Sequence, residues 1–224
     1  MRTLYSKVWQ KKKMAEDVKD RIIKGAAELF KRKGIKAVTM DEIAVKLSIS
    51  KRTIYENFND KQSIINSCLD STFKNLEDEM NDISKTSSNP VEALFCMFEY
   101  VDIVVREYNK QFFEDLVGTV TEDDYKDKKY RHRASISAKV KSAIDEGFFR
   151  NELGVDIITA LLTQNFSPLI AELNELGLHP SPLELKLRVN LILLKGIATQ
   201  KGAKVINELQ EKASLKMSGN ITTE

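Results

Sequence analysis

The sequence is poor in the residues that interrupt regular secondary structure and in those that cross-link it. It contains 9 glycines, 4 prolines and 2 cysteines in 224 residues. Few glycines and prolines leave few turn signals, so the composition favours long helices with short connections. Cys68 and Cys96 cannot supply a disulfide framework for a chain of this length, which favours a reducing compartment.

Long hydrophobic runs are also missing. No apolar stretch approaches the roughly 18–20 residues that span a bilayer, and the start of the chain lacks the apolar core of a signal peptide. We therefore expect a cytoplasmic protein with no membrane partner. No stretch alternates apolar and polar residues for the length of a strand, so we expect an all-α fold.

Charge is divided unevenly along the chain. Residues 1–61 hold 16 Lys and Arg against 8 Asp and Glu, whereas residues 62–224 hold 19 against 25. A basic N-terminal part on an acidic remainder suggests that one end of the protein meets a polyanion. Residues 1–15 form a basic extension, for which a disordered arm, an expression remnant and sequence upstream of a start at Met14 are open interpretations.

Apolar spacing and capping residues predict three helices in the basic part. The first runs from Asp17 and ends at Gly34, which we expect to be a left-handed C-terminal cap. Residues 39–42 read as a capping box, with a Thr and a Glu three positions apart, and open a short helix through Leu47. After a three-residue turn, a second short helix over 51–58 directs Ile54 and Phe58 inward.

The rest of the chain predicts only helices. One opens at Pro90 and is apolar on almost every side, so we expect it at the centre of a bundle. Pro168 is expected to kink a long helix over 155–176. The other predicted helices cover 61–83, 111–119, 122–146, 182–202 and 203–216.

Two short helices joined by three residues predict a helix-turn-helix over 39–58. The second helix would enter a DNA major groove, where short polar side chains near its N-terminus read base edges. A helical hairpin with a solvated charged face is the alternative that spacing alone leaves open. The outward candidates are Ser50, Lys51, Arg52, Thr53, Tyr55 and Glu56, and Thr39 and Lys61 lie at helix N-termini that favour phosphate.

Residues 22–66 resemble the TetR (tetracycline-repressor-like) family of bacterial transcription regulators. The resemblance rests on IIKGAAELF with Gly34, on TMDEIA, on SKRTIYENF and on DKQ at 60–62, in this order and spacing. It implies a homodimer whose three N-terminal helices bind a palindromic operator and whose C-terminal bundle binds a small effector that releases DNA. Carried over position by position, the DNA-facing residues are Thr39, Ser50, Lys51, Arg52, Thr53, Tyr55 and Lys61.

Two positions depart from the family pattern. The family usually has glycine where Ser48 stands, so Ser48 is expected in a left-handed conformation at a cost of roughly 1 kcal/mol. A small residue is common where Arg52 stands, and we interpret its guanidinium as a specific DNA contact.

The predicted domains are a helix-turn-helix domain over 16–62 and a helical ligand-binding and dimerisation domain over 63–224. The segments 155–176 and 182–202 carry more apolar surface than a bundle edge buries alone. A four-helix interface between two subunits would bury this surface, in agreement with the family's dimer. Completion of a monomer core is the alternative.

The helical body also contains candidates for a small-molecule site, although ordinary core packing is the more common role for any single aromatic residue. We take as candidate ligand-binding residues Phe98, Glu99, Asp102, Phe112, Tyr130 and Phe166. We expect neither a metal site nor a cofactor, because the two histidines and two cysteines show no ligand spacing. No catalytic motif is present, so we expect a regulator; a small-molecule-binding protein or enzyme with a vestigial DNA-binding head is the rival.

Overall fold

The computed structural model describes residues 17–120, 122–164, 166–179 and 182–219, so the predicted extension 1–15 lies outside the described residues. These ranges contain eleven α-helices and, as their only strand-like feature, one antiparallel bridge between Phe149 and Ala198. The all-α prediction is therefore confirmed. The helices are α1 (Val18–Lys33), α2 (Met40–Leu47), α3 (Lys51–Asn57), α4 (Lys61–Thr86), α5 (Pro90–Arg106), α6 (Lys110–Thr119), α7 (Glu122–Asp145), α8 (Gly154–Thr163), α9 (Ser167–Glu175), α10 (Pro182–Ile197) and α11 (Gln200–Gly219).

The chain divides into two compact units. The first comprises the described residues up to Thr72 together with Tyr108–Val120, and the second comprises Phe73–Glu107 and the described residues from 122 onward. The division suggested by the sequence, between residues 62 and 63, falls within α4. The first unit also includes α6, because α6 packs against α1.

Capping interactions define the helices of the first unit. The Asp17 side chain accepts from the backbone N–H of Lys19 at the start of α1. Thr39 and Glu42 form the predicted capping box at the start of α2, each side chain bonded to the other's backbone N–H. Ser50 caps α3 by accepting from the backbone N–H of Thr53. These bonds satisfy donors that would otherwise lack intrahelical partners.

Two described residues of this unit, Ser48 and Gly34, have positive φ, and the left-handed conformation predicted from the sequence is found at only one of them. Ser48 adopts φ 54° and ψ 43°, so the predicted left-handed conformation is confirmed. Gly34 also has positive φ, 85°, but its ψ of 167° is extended, so the left-handed cap predicted there is wrong. Glycine is still required at this position, because its φ is positive and because a Cβ on it would stand 2.7 Å from Cγ of Gln111 and 2.8 Å from Oδ2 of Asp115, both on α6.

The second unit encloses a core formed by residues of six helices, α4, α5, α7, α8, α10 and α11, and of the turn after α7. Its buried residues are Met80, Val91, Leu94, Met97, Ile136, Val140, Ala143, Phe148, Phe149, Ile158, Leu162, Leu194 and Ile206. The first half of α5 is buried in this core as expected. Its second half is not enclosed within the described residues, since Ile103 is largely exposed, so the prediction of a helix without a solvent face holds for the first half alone.

The single helix predicted over 155–176 is wrong. The segment forms α8 and α9, and Gln164 between them has extended backbone angles, φ −61° and ψ 153°. Pro168 stands in the first turn of α9 instead of kinking a continuous helix. A proline is well tolerated there because the first helical N–H groups have no intrahelical acceptor.

The helix predicted over 182–202 ends earlier, at Ile197, and α11 starts at Gln200. The interruption is imposed by the turn after α7. The backbone N–H of Arg150 donates to the carbonyl of Ile197 over 2.8 Å, and that of Thr199 donates to the carbonyl of Phe148 over 3.0 Å. These long-range bonds replace the intrahelical ones that would have continued α10.

Candidate nucleic-acid interface

Helix α3 is anchored on one side and exposed on the other. Ile54 is fully buried and Phe58, directly after the helix, is nearly so. The opposite side exposes Lys51, Arg52, Tyr55 and Glu56, and the side chain of Arg52 is 88% accessible. The structure thus brings together the outward side chains that the sequence predicts on this helix. Its position after α2 and the three-residue turn at 48–50 confirms the helix-turn-helix.

The charges on this face are paired within the unit. The Lys51 ammonium donates to Oδ2 of Asp41 over 2.9 Å, and this bond raises the pKa of Lys51. Arg52 Nε donates to Oε1 of Glu56, one turn further along α3, also over 2.9 Å. Exposed pairs of this kind contribute little to stability, so either cation can exchange its carboxylate for a phosphate or a base.

The hydroxyls predicted to face DNA have roles in capping. Thr39 Oγ1 accepts from the backbone N–H of Glu42 over 3.2 Å, and Ser50 Oγ accepts from that of Thr53 over 3.0 Å. Glu42 in turn accepts from the Lys33 ammonium over 2.7 Å, which lowers the pKa of the Glu42 carboxyl. These bonds fix the N-terminal ends of α2 and α3, where backbone N–H groups favour an anion.

Lys61 has a structural partner as well. Its ammonium donates to the backbone carbonyl of Lys36 over 3.3 Å, and partial burial lowers its pKa. The loop between α1 and α2 is therefore bound to the first turn of α4.

Asp115 is a residue of this unit that sequence reasoning did not identify. It is only 1% exposed, and its Oδ2 accepts from the backbone N–H of Lys36 over 2.7 Å. Gln111 Nε2 donates to the other carboxylate oxygen over 2.9 Å. The bond from Lys36, reinforced by that from Gln111, lowers the pKa of Asp115. Both backbone groups of Lys36 are thus held by side chains, one from α4 and one from α6.

The signal that would have identified Asp115 is its place in the apolar pattern of α6. It follows the buried Phe112 by three positions, which puts a carboxylate on the buried side of an amphipathic helix. A buried carboxylate requires hydrogen-bond donors. Which donors these are cannot be read locally, because Lys36 lies 79 positions away.

Two further contacts attach α6 to the same unit. Asn109 caps α6, donates its side-chain N–H to the carbonyl of Arg32 over 2.6 Å and donates its backbone N–H to the carbonyl of Lys31 over 2.9 Å. At the other end of α6, Gln62 Nε2 donates to the carbonyl of Thr119 over 3.1 Å. Helix α6 is therefore fastened to α1 at its start and to α4 at its end.

The candidate ligand-binding residues are distributed over both units. Phe112 belongs to the first, where its ring centroid lies 4.5 Å from that of Tyr108. In the second, Phe98 and Glu99 are half-buried, Asp102 accepts from Arg106 Nε over 2.8 Å, Tyr130 is exposed and Phe166 is buried. None of the six lines the cavity of about 370 Å³ between α4 and α7 in the second unit. Their role in binding stays a prediction.

The described residues hold neither a group of metal ligands nor a membrane-spanning helix. No three His, Cys, Asp or Glu side chains among them are grouped as metal ligands would be. No helix among them is both long and apolar enough to cross a membrane.

Comparison with known proteins gives a consistent result. Residues 22–68 match the family model described as bacterial regulatory proteins, tetR family. IcaR of Staphylococcus aureus, a negative transcriptional regulator of the biofilm operon icaADBC, is 29% identical over 98 residues, which cover 43% of this chain and 53% of IcaR. YvkB of Bacillus subtilis, an uncharacterised HTH-type transcriptional regulator, is 32% identical over 108 residues, covering 46% of this chain and 57% of YvkB.

A solved structure extends the likeness of fold beyond these segments. A putative transcriptional regulator from Saccharomonospora viridis, in complex with choline, superposes with a TM-score of 0.66 at 20% identity, covering 81% of this chain and 98% of that one. The matched segment spans about half the length of the curated relatives. Residues 22–68 thus match the tetR family of bacterial regulatory proteins, and the helix-turn-helix and the shared fold agree with that match.

Proposed function

We propose that the protein is a sequence-specific DNA-binding transcriptional regulator and that α3 enters the major groove. The observation that carries the proposal is the two-sided character of α3. Ile54 is buried and holds the helix in the unit, while Lys51, Arg52 and Tyr55 are exposed together on the other side. A helix of this kind presents side chains to base edges while the preceding helix braces it against the backbone.

Within this proposal the predicted DNA-facing residues divide by chemistry. Arg52 and Lys51 donate to guanine acceptors, and Tyr55 and Thr53 contact phosphate or a thymine methyl. Ser50, Thr39 and Lys61 stand at the starts of α3, α2 and α4, where they fix helix ends that face phosphates. Lys61 also positions the loop at Lys36, so its contribution to DNA binding has an electrostatic and a structural part.

We further propose that the protein acts as a homodimer. Large apolar side chains are exposed on α8, α9 and α10 and in the connections beside them: Leu153, Ile157, Leu169, Leu176, Leu178 and Ile192. A second copy of the chain would bury them in a symmetric interface. Two recognition helices about 34 Å apart would then read both halves of a palindromic operator.

Ligand control is the third part of the proposal. The structural relative from Saccharomonospora viridis is a regulator in complex with choline, which supports a small-molecule effector for this chain too. The chain passes between the two units after Thr72, after Glu107 and after Val120. Helix α4 runs from the second unit to Lys61, and α6, which carries Asp115, is joined to the second unit at both ends, so a ligand that alters either helix would alter the support of the loop at Lys36. We assign no catalytic role to the protein. We place it in the cytoplasm, because that is where a bacterial regulator meets chromosomal DNA.

The decisive experiment is a footprint of the purified protein on the DNA that flanks its own gene, at fixed salt. We expect a protected inverted repeat, and sedimentation should give a dimer at the same protein concentration. Protection without sequence preference, together with tight ligand binding, would support the rival protein with a vestigial head. A solitary subunit that protects no DNA contradicts the proposal as a whole.

Salt dependence tests the electrostatic part, using Lys61→Ala. We expect weaker binding to the protected and to a scrambled duplex alike, with the slope of log affinity against log salt lowered by about 0.9 for one lost phosphate contact. Lys85→Ala removes another lysine of α4, exposed and paired with Asp82, and should change neither quantity. A lower affinity at unchanged slope would show that Lys61 acts only by positioning the loop.

A further inference from the structure

The cavity of the second unit has the size and lining of a small-molecule site. It lies between the second half of α4 and the middle of α7 and has a volume of about 370 Å³, within the range of roughly 300–1,000 Å³ typical of small-ligand sites. Phe73, Leu76 and Met80 of α4 line it opposite Ala134 and Ala138 of α7. Small side chains on α7 leave the space in front of the large ones on α4 unfilled.

The two ends of this cavity differ in polarity. Met80 is almost completely buried and belongs to the core, so the inner part is apolar. Ala134 and Ala138 are exposed and mark the mouth, where Ser135 and Lys139 also line the wall. Ser135 and Lys139 are four positions apart and therefore adjacent on one face of α7. An apolar floor with polar groups at the opening suits an amphipathic molecule.

The charges at the wall select the sign of that molecule. Glu77 is the only acidic side chain among the described lining residues, and its Oε2 accepts from Arg131 Nε over 3.3 Å. Lys139 is half-buried, and no carboxylate of the described residues lies within ion-pair distance of it. A cationic ligand would have to displace Arg131 from Glu77 and would lie near the like charge of Lys139. An anionic ligand can instead bind the Lys139 ammonium, which has no carboxylate partner among the described residues.

Neither His132 nor Lys186 adds negative charge that would oppose an anion. Burial lowers the pKa of His132, a lining residue, to about 4, so its ring is neutral at pH 7. The positive charge of Lys186 contributes to this shift. The Nδ1 atom of His132 is buried and has no hydrogen-bond partner among the described residues.

We propose that this cavity binds a small amphipathic monoanion, with its apolar body on Phe73, Leu76 and Met80 and its anionic group on Lys139 and Ser135. Any effect of this ligand on DNA binding rests on the ligand-controlled regulation proposed above. Binding of the ligand to the cavity does not depend on that proposal. The proposal commits to a single negative charge because Lys139 is the one lining cation of the described residues without a carboxylate partner.

The test uses a matched pair of fluorescent probes, anilinonaphthalene sulfonate and N-phenylnaphthylamine, which have the same ring system with and without the anionic group. Both are titrated into the full chain. We expect the sulfonate to bind the wild type more tightly than the neutral probe. Lys139→Gln should weaken the sulfonate about tenfold, as for loss of one hydrogen bond to a charged group, and leave the neutral probe within twofold.

Two more variants locate the site. Ala138→Trp fills the mouth and should weaken both probes, and Ala134→Leu serves the same purpose if the tryptophan variant loses its helical circular dichroism. Lys141→Gln is the matched control, since Lys141 lies on α7 outside the lining, paired with Asp145 over 2.6 Å, and should change neither probe. Absence of binding, or sulfonate binding that is insensitive to Lys139→Gln and to the filling variants, overturns the proposal.

A final measurement separates this inference from the proposed function. The duplex protected in the footprint is titrated with protein in the presence of the sulfonate probe. Site-dependent probe binding with unchanged DNA affinity would keep the cavity site and contradict ligand control. Probe binding that follows the variants as expected, in a protein that binds no DNA, would keep the site and contradict the DNA-binding function.

Discussion

Replacement of Arg52 by alanine tests the assignment of α3 as the element that reads DNA. In the free protein Arg52 Nε bonds to Glu56 over 2.9 Å, with both side chains exposed. An exposed pair one helical turn apart contributes only about 0.3–0.5 kcal/mol. A bidentate contact from arginine to guanine is worth about 1–3 kcal/mol of discrimination. Because this exceeds the contribution of the pair with Glu56, the guanidinium should bind the base when DNA is present. Arg52→Ala should therefore weaken operator binding about fivefold to 150-fold.

The assay is fluorescence anisotropy at fixed salt, with the footprinted duplex and a scrambled duplex of equal length. Because the loss arises at a base edge, Arg52→Ala should reduce the ratio of the two affinities and change binding to the scrambled duplex by much less. Arg106→Ala is the matched control, since it removes an arginine from an exposed pair of the same spacing, with Asp102 on α5. It should leave both affinities unchanged.

Two outcomes would refute the reasoning. Equal weakening on both duplexes would assign Arg52 to a phosphate instead of a base. Unchanged affinity on both duplexes would mean that the exposed side of α3 does not face DNA. The two-sided character of α3 would then no longer support the proposed function.

Two further predictions concern the stability of the first unit. Ser48→Gly should raise the free energy of unfolding in urea by about 0.5–1 kcal/mol, because glycine adopts the left-handed angles found at Ser48 without a Cβ clash; a lower stability would contradict this account. Asp115→Asn should destabilise the protein at neutral pH, because the folded pKa of Asp115 lies below its ordinary value of 3.8 and the charged carboxylate is the form that Lys36 binds. This deficit should stay constant above about pH 4 and shrink as the pH falls further and the wild-type carboxyl is protonated, and a deficit that grows on acidification would contradict it.

The parts of this protein that sequence reasoning predicted well depend on residues close together in the chain. The capping box at Thr39 and Glu42 and the left-handed Ser48 are set within four residues. The burial of Ile54 beside an exposed Arg52 follows from helical periodicity alone. These local features are sufficient to predict the helix-turn-helix and the candidate interface on its second helix.

The errors occur where distant segments compete with local preference. The segment 182–202 has helical periodicity throughout, yet backbone bonds from Arg150 and Thr199 end α10 at Ile197. At position 34, Gln111 and Asp115 of α6 leave no room for a Cβ, and the residues around the end of α1 do not indicate this. In both cases the partner lies dozens of positions away, and periodicity carries no information about it.

Short stretches of residues therefore determined the all-α fold class, the recognition helix and the charged face of that helix. The reason is that helix formation and capping involve neighbours within one or two turns. The assignment of α6 to the first unit and the capture of Lys36 by Asp115 and Lys61 arose only when the chain folded. The cavity between α4 and α7 belongs to the same group. Each of these features is a relation between segments far apart in the chain, and packing in three dimensions selects it among many pairings that the residues alone would permit.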